Sequence, residues 1–423
     1  MTVAQVVAIA VFVGVMALIV TEKVHRALAA LLGALVVMIA GVVPFERTFN
    51  YLDLNTLGVL IGMMLFVGAT KRSGLFEYLA IKSAKLAKGD PWRIMVVLVL
   101  ITALLSAFID NVTTVLLIGP MTFMICRELR LAPVPFFITQ IIASNIGGTA
   151  TLIGDPPNIM IGSQTGLSFL DFVTVNGPIL LVVLFATLVG FRFIYGRKLA
   201  VAGELRENLM MLDEKQAILS RSLFVKSIVM IALLVVAFML HGVLQLPSSI
   251  IALSGAAIMM LIGRQDVGEL IIDVEWTTIG FFCGLFIVVG GLVETGLIDL
   301  LAQYLIGLTN GQTIAAILVI LVASAIISAI IDNIPFVATM IPVILAMEAT
   351  GIDVMPLWWA LSLGACLGGN GTLVGASANV VLSGISNRAG HPLTFINYLK
   401  VGAPMMALSI IISAIYLVLR FGL

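Results

Sequence analysis

An Asp-Asn pair interrupts an apolar run twice in this chain, 222 positions apart: Asp110 and Asn111 in SAFIDNVTTVLL, Asp332 and Asn333 in SAIIDNIPFVATM. A carboxylate inside a hydrocarbon-spanning stretch costs roughly 2.5–3.5 kcal/mol on insertion scales, so a repeated one is expected to carry function. Its recurrence at a fixed offset implies two copies of one unit. A membrane chain built this way is expected to carry its site between the copies, as transporters with repeated halves do.

Composition places the chain in a bilayer. It is 61% hydrophobic and 10% charged, which leaves too little polar surface for a soluble chain of 423 residues. Val6–Val20, Pro178–Gly190, Ile228–Met239 and Ala403–Leu419 read as parts of membrane spans. The formal net charge is zero and no long single-sign run exists, so nucleic-acid binding has no electrostatic footprint. Three scattered cysteines (Cys126, Cys283 and Cys366) form no CxxC and read as free thiols in helices. The N-terminal MTVAQVVAIAVFVGV has no basic region or cleavage signature and reads as a retained first span.

Shifted by 222, the chain brings Gly33, Gly58, Gly62 and Gly68 onto Gly255, Gly280, Gly284 and Gly290. At 221, GGTATLIGDPPN (147–158) meets GGNGTLVGASAN (368–379), and at 226 Leu167, Phe169 and Pro178 meet Leu393, Phe395 and Pro404. The expected organisation is a first repeat over 1–199, a cytoplasmic linker over 200–222 and a second repeat over 223–423. The linker segment VAGELRENLMMLDEKQAILSRS is rich in both charge signs.

Sidedness follows from the basic residues. If each two-armed segment (94–126 and 312–348) enters and leaves on one side, the loops 22–26, 71–93, 126–130, 192–226, 264–275 and 386–400 share a face. They hold 20 of the 22 Lys and Arg residues, which makes that face cytoplasmic and puts both termini outside. Each copy then crosses an odd number of times, so the copies are inverted. The expected fold is an all-α polytopic membrane protein of two inverted repeats. It has about ten transmembrane helices, two re-entrant hairpins and two broken helices, multi-pass in the inner membrane. Arms of about 15–18 residues favour re-entrant hairpins over spans, which need about 20. Leu75–Lys88 reads as an amphipathic interfacial helix with Lys82, Lys85 and Lys88 at the headgroups.

Each copy carries two polar elements. The hairpin tips hold Asp110, Asn111, Thr113 and Thr114, and Asp332, Asn333 and Thr339. The broken spans are SNIGGTATLIGDPPN and CLGGNGTLVGASAN, where glycine and proline oppose a continuous helix. Asp155 before Pro156 is a helix-start signature with the acid as N-cap, and Ser377 is available to cap the second break. Unwound backbone in a bilayer leaves carbonyls for a cation and helix N-termini for an anion or polar solute. The candidate site residues are Asp110, Asn111, Thr113, Asn145, Gly148, Thr149, Asp155, Asn158, Asp332, Asn333, Gly369, Asn370, Thr372, Ser377 and Asn379. The histidines (His25, His241, His391) fall in or beside loops and suggest no metal site, and no catalytic motif stands in a credible context. No cofactor is expected, and the chain reads as no enzyme.

These motifs, above all SAFIDNVTTVLLIGP and SNIGGTATLIGDPPN, resemble the ion transporter superfamily, in its arsenite–antimonite efflux permease and P-protein-like branch. The resemblance covers essentially the whole chain. It implies a scaffold part, a transport part with two opposed hairpins and two unwound helices, a homodimer in the lipid bilayer, and an elevator-like movement. The sodium/dicarboxylate branch is similar in plan but has a Ser-Asn-Thr triplet at each tip and a neutral residue where Asp155 stands. Extra carboxylates disfavour a multiply charged anion and favour coupling to H+ or Na+. The expected function is secondary active transport of a small inorganic or organic ion, foremost proton-coupled efflux of arsenite or antimonite. A sodium-coupled di- or tricarboxylate symporter and a sodium/proton antiporter are the alternatives. In that reading Asp110 and Asp332 are coupling carboxylates, Asn111 and Asn333 donors, and Asp155 a further cation or capping group.

Overall fold

The computed structural model describes every residue except 22, 197, 198, 200, 202, 212 and 423. Apolar runs punctuated by glycine, proline and capping residues give an all-helical chain. Its N-terminal half contains α1 (Val3–Thr21), α2 (Arg26–Ile39), α3 (Phe45–Thr48), α4 (Leu54–Lys71) and α5 (Leu75–Leu86). It continues with α6 (Pro91–Phe108), α7 (Asn111–Glu128), α8 (Val134–Gly148), α9 (Pro156–Thr165) and α10 (Phe169–Tyr195). After α11 (Gly203–Met211) come α12 (Arg221–Leu244), α13 (Ser248–Gly263), α14 (Val267–Ile272), α15 (Trp276–Glu294) and α16 (Leu297–Thr309). The chain closes with α17 (Thr313–Ile330), α18 (Asn333–Glu348), α19 (Met355–Gly368), α20 (Ser377–Arg388) and α21 (Phe395–Phe421). The helices on either side of α11 thus run in the same order. Among the described residues, eight helices are long and apolar enough to cross a membrane, and six shorter apolar helices accompany them.

Four helices form two tight pairs, each joining one half to the other. A Cβ on Gly284 would stand 2.5 Å from the backbone of Ala30, one on Gly33 3.1 Å from Val288, and one on Gly291 3.0 Å from Val37. The register rises together, so α2 and α15 run parallel. In the same way Gly58 lies on Ser249 and Gly62 on the backbone of Ala252, so α4 and α13 are also parallel. Small residues let the backbones approach where lipid supplies no hydrophobic drive.

The two-armed segments are the hairpins α6–α7 and α17–α18. Their arms have 18, 18, 18 and 16 residues, about 24–27 Å each at 1.5 Å per residue, so arm length alone does not separate re-entrant from spanning. Both tips end inside the protein, with Asp110 and Asp332 each only 8% exposed. The broken helices α8–α9 and α19–α20 pack on the first arms. A Cβ on Gly147 would meet the Ala103 carbonyl at 2.0 Å, and one on Gly368 would meet Ala325 Cα at 2.6 Å.

The segment around α5 differs from the interfacial helix expected of it. Leu75, Phe76, Ala80, Ser83 and Ala84 are buried. Lys85 Nζ pairs with Glu214 of the connecting segment at 2.6 Å, and Leu219 N–H donates to the Ser73 carbonyl at 3.2 Å. Gly74, at φ +81°, carries Ala217 O where a Cβ would stand, and Gly89, at φ +67°, carries Arg206. The corresponding Gly296 and Gly311 have nothing within 4 Å. Among the described residues, the connecting segment is thus docked on the first half beside α5, over a surface that lipid headgroups were expected to cover.

Candidate functional site

Each hairpin tip is a helix start whose N-cap is the aspartate. Asp110 Oδ1 accepts from Thr113 N–H at 2.9 Å, and its Oδ2 accepts from the Thr113 hydroxyl. Asp332 Oδ1 accepts from Ile334 N–H at 3.1 Å, and its Oδ2 accepts from Ser377 Oγ at 2.7 Å. Each carboxylate thus already holds one helix donor and one hydroxyl. Thr114 and Thr339 point elsewhere: their hydroxyls donate to the carbonyls of Ile109 and Pro335. Thr339 is accordingly no part of the tip chemistry, because its own helix satisfies it.

The breaks are held open by asparagines. Asn158 Nδ2 donates to Thr149 O at 3.1 Å and Thr151 O at 2.9 Å, with Gly148 O at 3.4 Å, while its Oδ1 accepts from Ser362 at 2.7 Å. Asn379 repeats the arrangement, donating to Gly369 O at 2.7 Å and Thr372 O at 2.9 Å. Unwound carbonyls in an apolar interior need such partners. Thr149 returns its hydroxyl to Asn145 O at 2.6 Å, and Thr372 gives its own to Ala329 O. Asn145 ties the two breaks together: Nδ2 donates to Asn370 Oδ1 at 2.9 Å and to Asn379 Oδ1 at 3.0 Å, and Oδ1 accepts from Asn111 at 3.2 Å. Asn370 Nδ2 is buried without a partner. Gly148 sits under the Gly154 carbonyl, where a Cβ would come within 2.6 Å.

Two capping expectations change. Asp155 occupies the N-cap position of α9, with Pro156 at N1, yet its side chain caps no backbone N–H. The carboxylate instead accepts from Asn333 Nδ2 at 3.3 and 3.4 Å. In α20 the N-cap is Ala376 and not Ser377, whose hydroxyl goes to Asp332. Both side chains have turned from their own helix toward a hairpin tip.

Three functional candidates escaped the sequence reading: Arg26, Glu275 and Thr278. Arg26 Nη1 lies 3.4 Å from Asp332 Oδ2 and also donates to Ser377 Oγ. Its Nη2 reaches Thr278 Oγ1 at 3.3 Å, and the guanidinium lies over the Phe281 ring, 5.3 Å from the centroid. Glu275 accepts from Thr278 at 3.0 Å. A signal did exist: Asp53 and Thr56, 222 residues earlier, form the same acid–threonine pair, with Thr56 Oγ1 2.6 Å from Asp53 Oδ2. Arg26 has no such echo, since Ser248 stands at its position in the other half.

These groups line two adjoining cavities. The inner one, about 20 Å³, is bounded by Asp110, Asp155, Glu275, Asn111, Asn333 and Arg26, with Ser377. That is room for one water or one small ion. The outer one, about 330 Å³, is mostly apolar and holds Asp332, His25, Arg26 and Ser377. Arg26 and Ser377 belong to both and form the wall between them. Four carboxylates face one guanidinium, and a buried cluster of this sign is stable only with cations or protons. Among the described residues, no cluster of His, Cys, Asp and Glu has the arrangement to hold a metal ion.

Opposed hairpins meeting two broken membrane helices around buried carboxylates define a multi-pass membrane transporter. The citrate-transporter family model CitMHS matches residues 16–364, and the chain belongs to this family of the ion transporter superfamily. It is 43% identical to an uncharacterized transporter of Mycobacterium tuberculosis, over 99% of both chains. It is 33% identical to the human P protein over 97% of its own length, which is 59% of that relative. Among solved structures, the YdaH transporter of Alcanivorax borkumensis superposes with a TM-score of 0.58 at 16% identity, covering 89% of this chain and 88% of the other. That likeness concerns the fold alone.

Proposed function

We propose that the chain is a secondary active transporter coupled to H+ or Na+, with Asp110, Asp155, Asp332 and Glu275 as its cation-coupling groups. The observation that carries this reading is that three of these carboxylates line one small cavity, with the fourth beside it across Arg26. Coupling by buried carboxylates requires that they bind and release a cation during the cycle, and a dry, crowded site makes that exchange energetically significant. Asn158 and Asn379 hold the unwound backbone around the site. The solute favoured by an acidic, compact site is a small neutral hydroxylated species such as arsenous or antimonous acid, exchanged for protons. Movement of the hairpins and breaks as one body past the α2–α15 and α4–α13 pairs would expose the site alternately, as in an elevator.

A second reading has its own support. The family is described as citrate transporters, and the larger cavity presents a guanidinium, the side chain best suited to a carboxylate. There a carboxylate solute would enter together with the cations that neutralise Asp110, Asp155 and Asp332.

Purified protein in proteoliposomes with a pH-sensitive dye inside separates the two, with arsenite, sodium, and sodium plus citrate added in turn. Proton flux with arsenite alone, lost in Asp110→Asn and Asp332→Asn, supports metalloid/proton exchange. A response only to sodium with citrate moves the protein to the second reading. Undiminished flux in both variants sinks the site assignment.

A further inference from the structure

Among the described residues, Arg26 is the one strongly basic side chain that reaches the carboxylate cluster, and it comes from outside the hairpins and breaks. It opens α2, whose Gly33 side is locked onto α15. Its guanidinium crosses to Asp332 on the tip of α17–α18 and to Ser377 at the start of α20, while Thr278 and Phe281 of α15 hold its other side. The side chain is about three-quarters buried, at 26% exposure, and stands in the wall shared by the two cavities. The charged or titratable groups around it are Asp332 at the N-cap of α18, Asp155 at the start of α9, Glu275 at the start of α15, Asp110 on the other tip, and His25 beside it. No second cation shares this space among the described residues.

A guanidinium 3.4 Å from a carboxylate supplies the positive charge that a bound monovalent cation would otherwise have to bring. Attraction between the two is strong where water is excluded, and it competes directly with any ion seeking the same oxygens. From this geometry we infer that Arg26 is a tethered internal cation: it neutralises Asp332 when no coupling ion is bound and is displaced when a small monovalent cation arrives. Arg26 is therefore a positioning residue that sets ion affinity and holds the second tip against α2 in the ion-free state. The asymmetry supports the role, because Ser248 stands at the equivalent place and, among the described residues, Asp110 has no ion pair and is held by its bonds to Thr113. The inference rests on the carboxylates being the coupling site.

Ion binding can be read without knowing the solute, since a ligand that binds only the folded state raises thermal stability. The melting temperature of purified protein is followed against NaCl at fixed pH, and against pH without sodium. In Arg26→Gln the NaCl midpoint is expected to fall roughly tenfold, or the pH midpoint to rise by about one unit or more, since removing a nearby opposite charge makes a carboxylate hold its proton more tightly. Arg26→Lys should restore the wild-type midpoint. If Arg26→Gln does not fold, Ser377→Ala, which removes one anchor of the guanidinium, should shift the same midpoint in the same direction. Unchanged midpoints in the folded variant, or an Arg26→Lys variant that behaves like Arg26→Gln, would overturn the inference. If Asp110→Asn, Asp155→Asn and Asp332→Asn all leave both midpoints where they were, the coupling-site reading itself fails. Midpoints altered by these three but not by Arg26→Gln would remove only the tethered cation.

Discussion

Asn333 donates its side-chain amide to both oxygens of Asp155, at 3.3 and 3.4 Å, and so joins the tip of one hairpin to the break of the opposite half. The contact spans 178 residues of sequence and is made by a carboxylate that gave up capping its own helix. If the pair acts as a unit, Asn333→Ala should lower the apparent affinity for the coupling ion about tenfold, and adding it to Asp155→Asn should change little. A double-mutant cycle on ion-dependent flux tests this, with an expected coupling of about 1 kcal/mol or more. Strictly additive effects would mean that the two residues act separately.

The asparagine ties at the breaks should be structural in their energetics. Asn158→Ala leaves the Thr151 carbonyl and the Ser362 hydroxyl short of a partner in a fully buried place, while the Thr149 carbonyl keeps the Asn176 amide at 3.0 Å. Each buried group left unpaired costs about 1–3 kcal/mol, so a total loss of roughly 2–4 kcal/mol is expected. Asn379→Ala should behave alike. Thermal denaturation in detergent reports both, and a variant as stable as the parent would contradict the assignment.

Close helix approach makes a sharp steric prediction. Gly147→Ala would place a Cβ 2.0 Å from the Ala103 backbone carbonyl, which no rotamer can relieve. Folded yield should collapse as α6 and α8 are forced apart. Gly14→Ala is the control: nothing lies within 4 Å, and helix propensity favours the change by up to about 1 kcal/mol. Monodispersity after extraction distinguishes them.

Docking of the connecting segment should depend on pH. The hydrogen bond from Lys85 holds the Glu214 carboxyl below its ordinary value. A carboxyl lowered in the folded state contributes stability above its unfolded value, about 4.3, and that contribution disappears as pH falls through the lower folded value. Hydrogen exchange of residues 213–219, corrected for intrinsic rate, should show protection through neutral pH and loss as the pH falls below the ordinary glutamate value. Glu214→Gln should already exchange faster at pH 7. Equal protection in this variant would mean that Ala217 against Gly74 suffices.

Much of this arrangement is legible in the chain because bilayer physics leaves few choices. Glycine and proline runs at 147–157 and 368–375 could not continue a helix, and the repeated Asp-Asn could not sit in lipid unpartnered. What escaped reading were side chains whose role depends on what faces them. Arg26 and Glu275 look like ordinary loop charges at the ends of spans, and the positive-inside count absorbs Arg26 without remainder. Asp155 and Ser377 carry good capping chemistry locally, and only the opposing tips show why they turn away. Lys85 reads as a headgroup anchor because its partner, Glu214, lies 129 residues on.

The two parallel pairs also set a schedule. Gly58 and Gly62 meet Ser249 and Ala252, about 190 residues later in the chain. At a synthesis rate of 5–20 residues per second, α4 waits in the bilayer for roughly 10–40 s before its partner is made. During that interval its small-residue groove is open to any passing helix, and the newborn half is at its most vulnerable to mispairing or to membrane proteases.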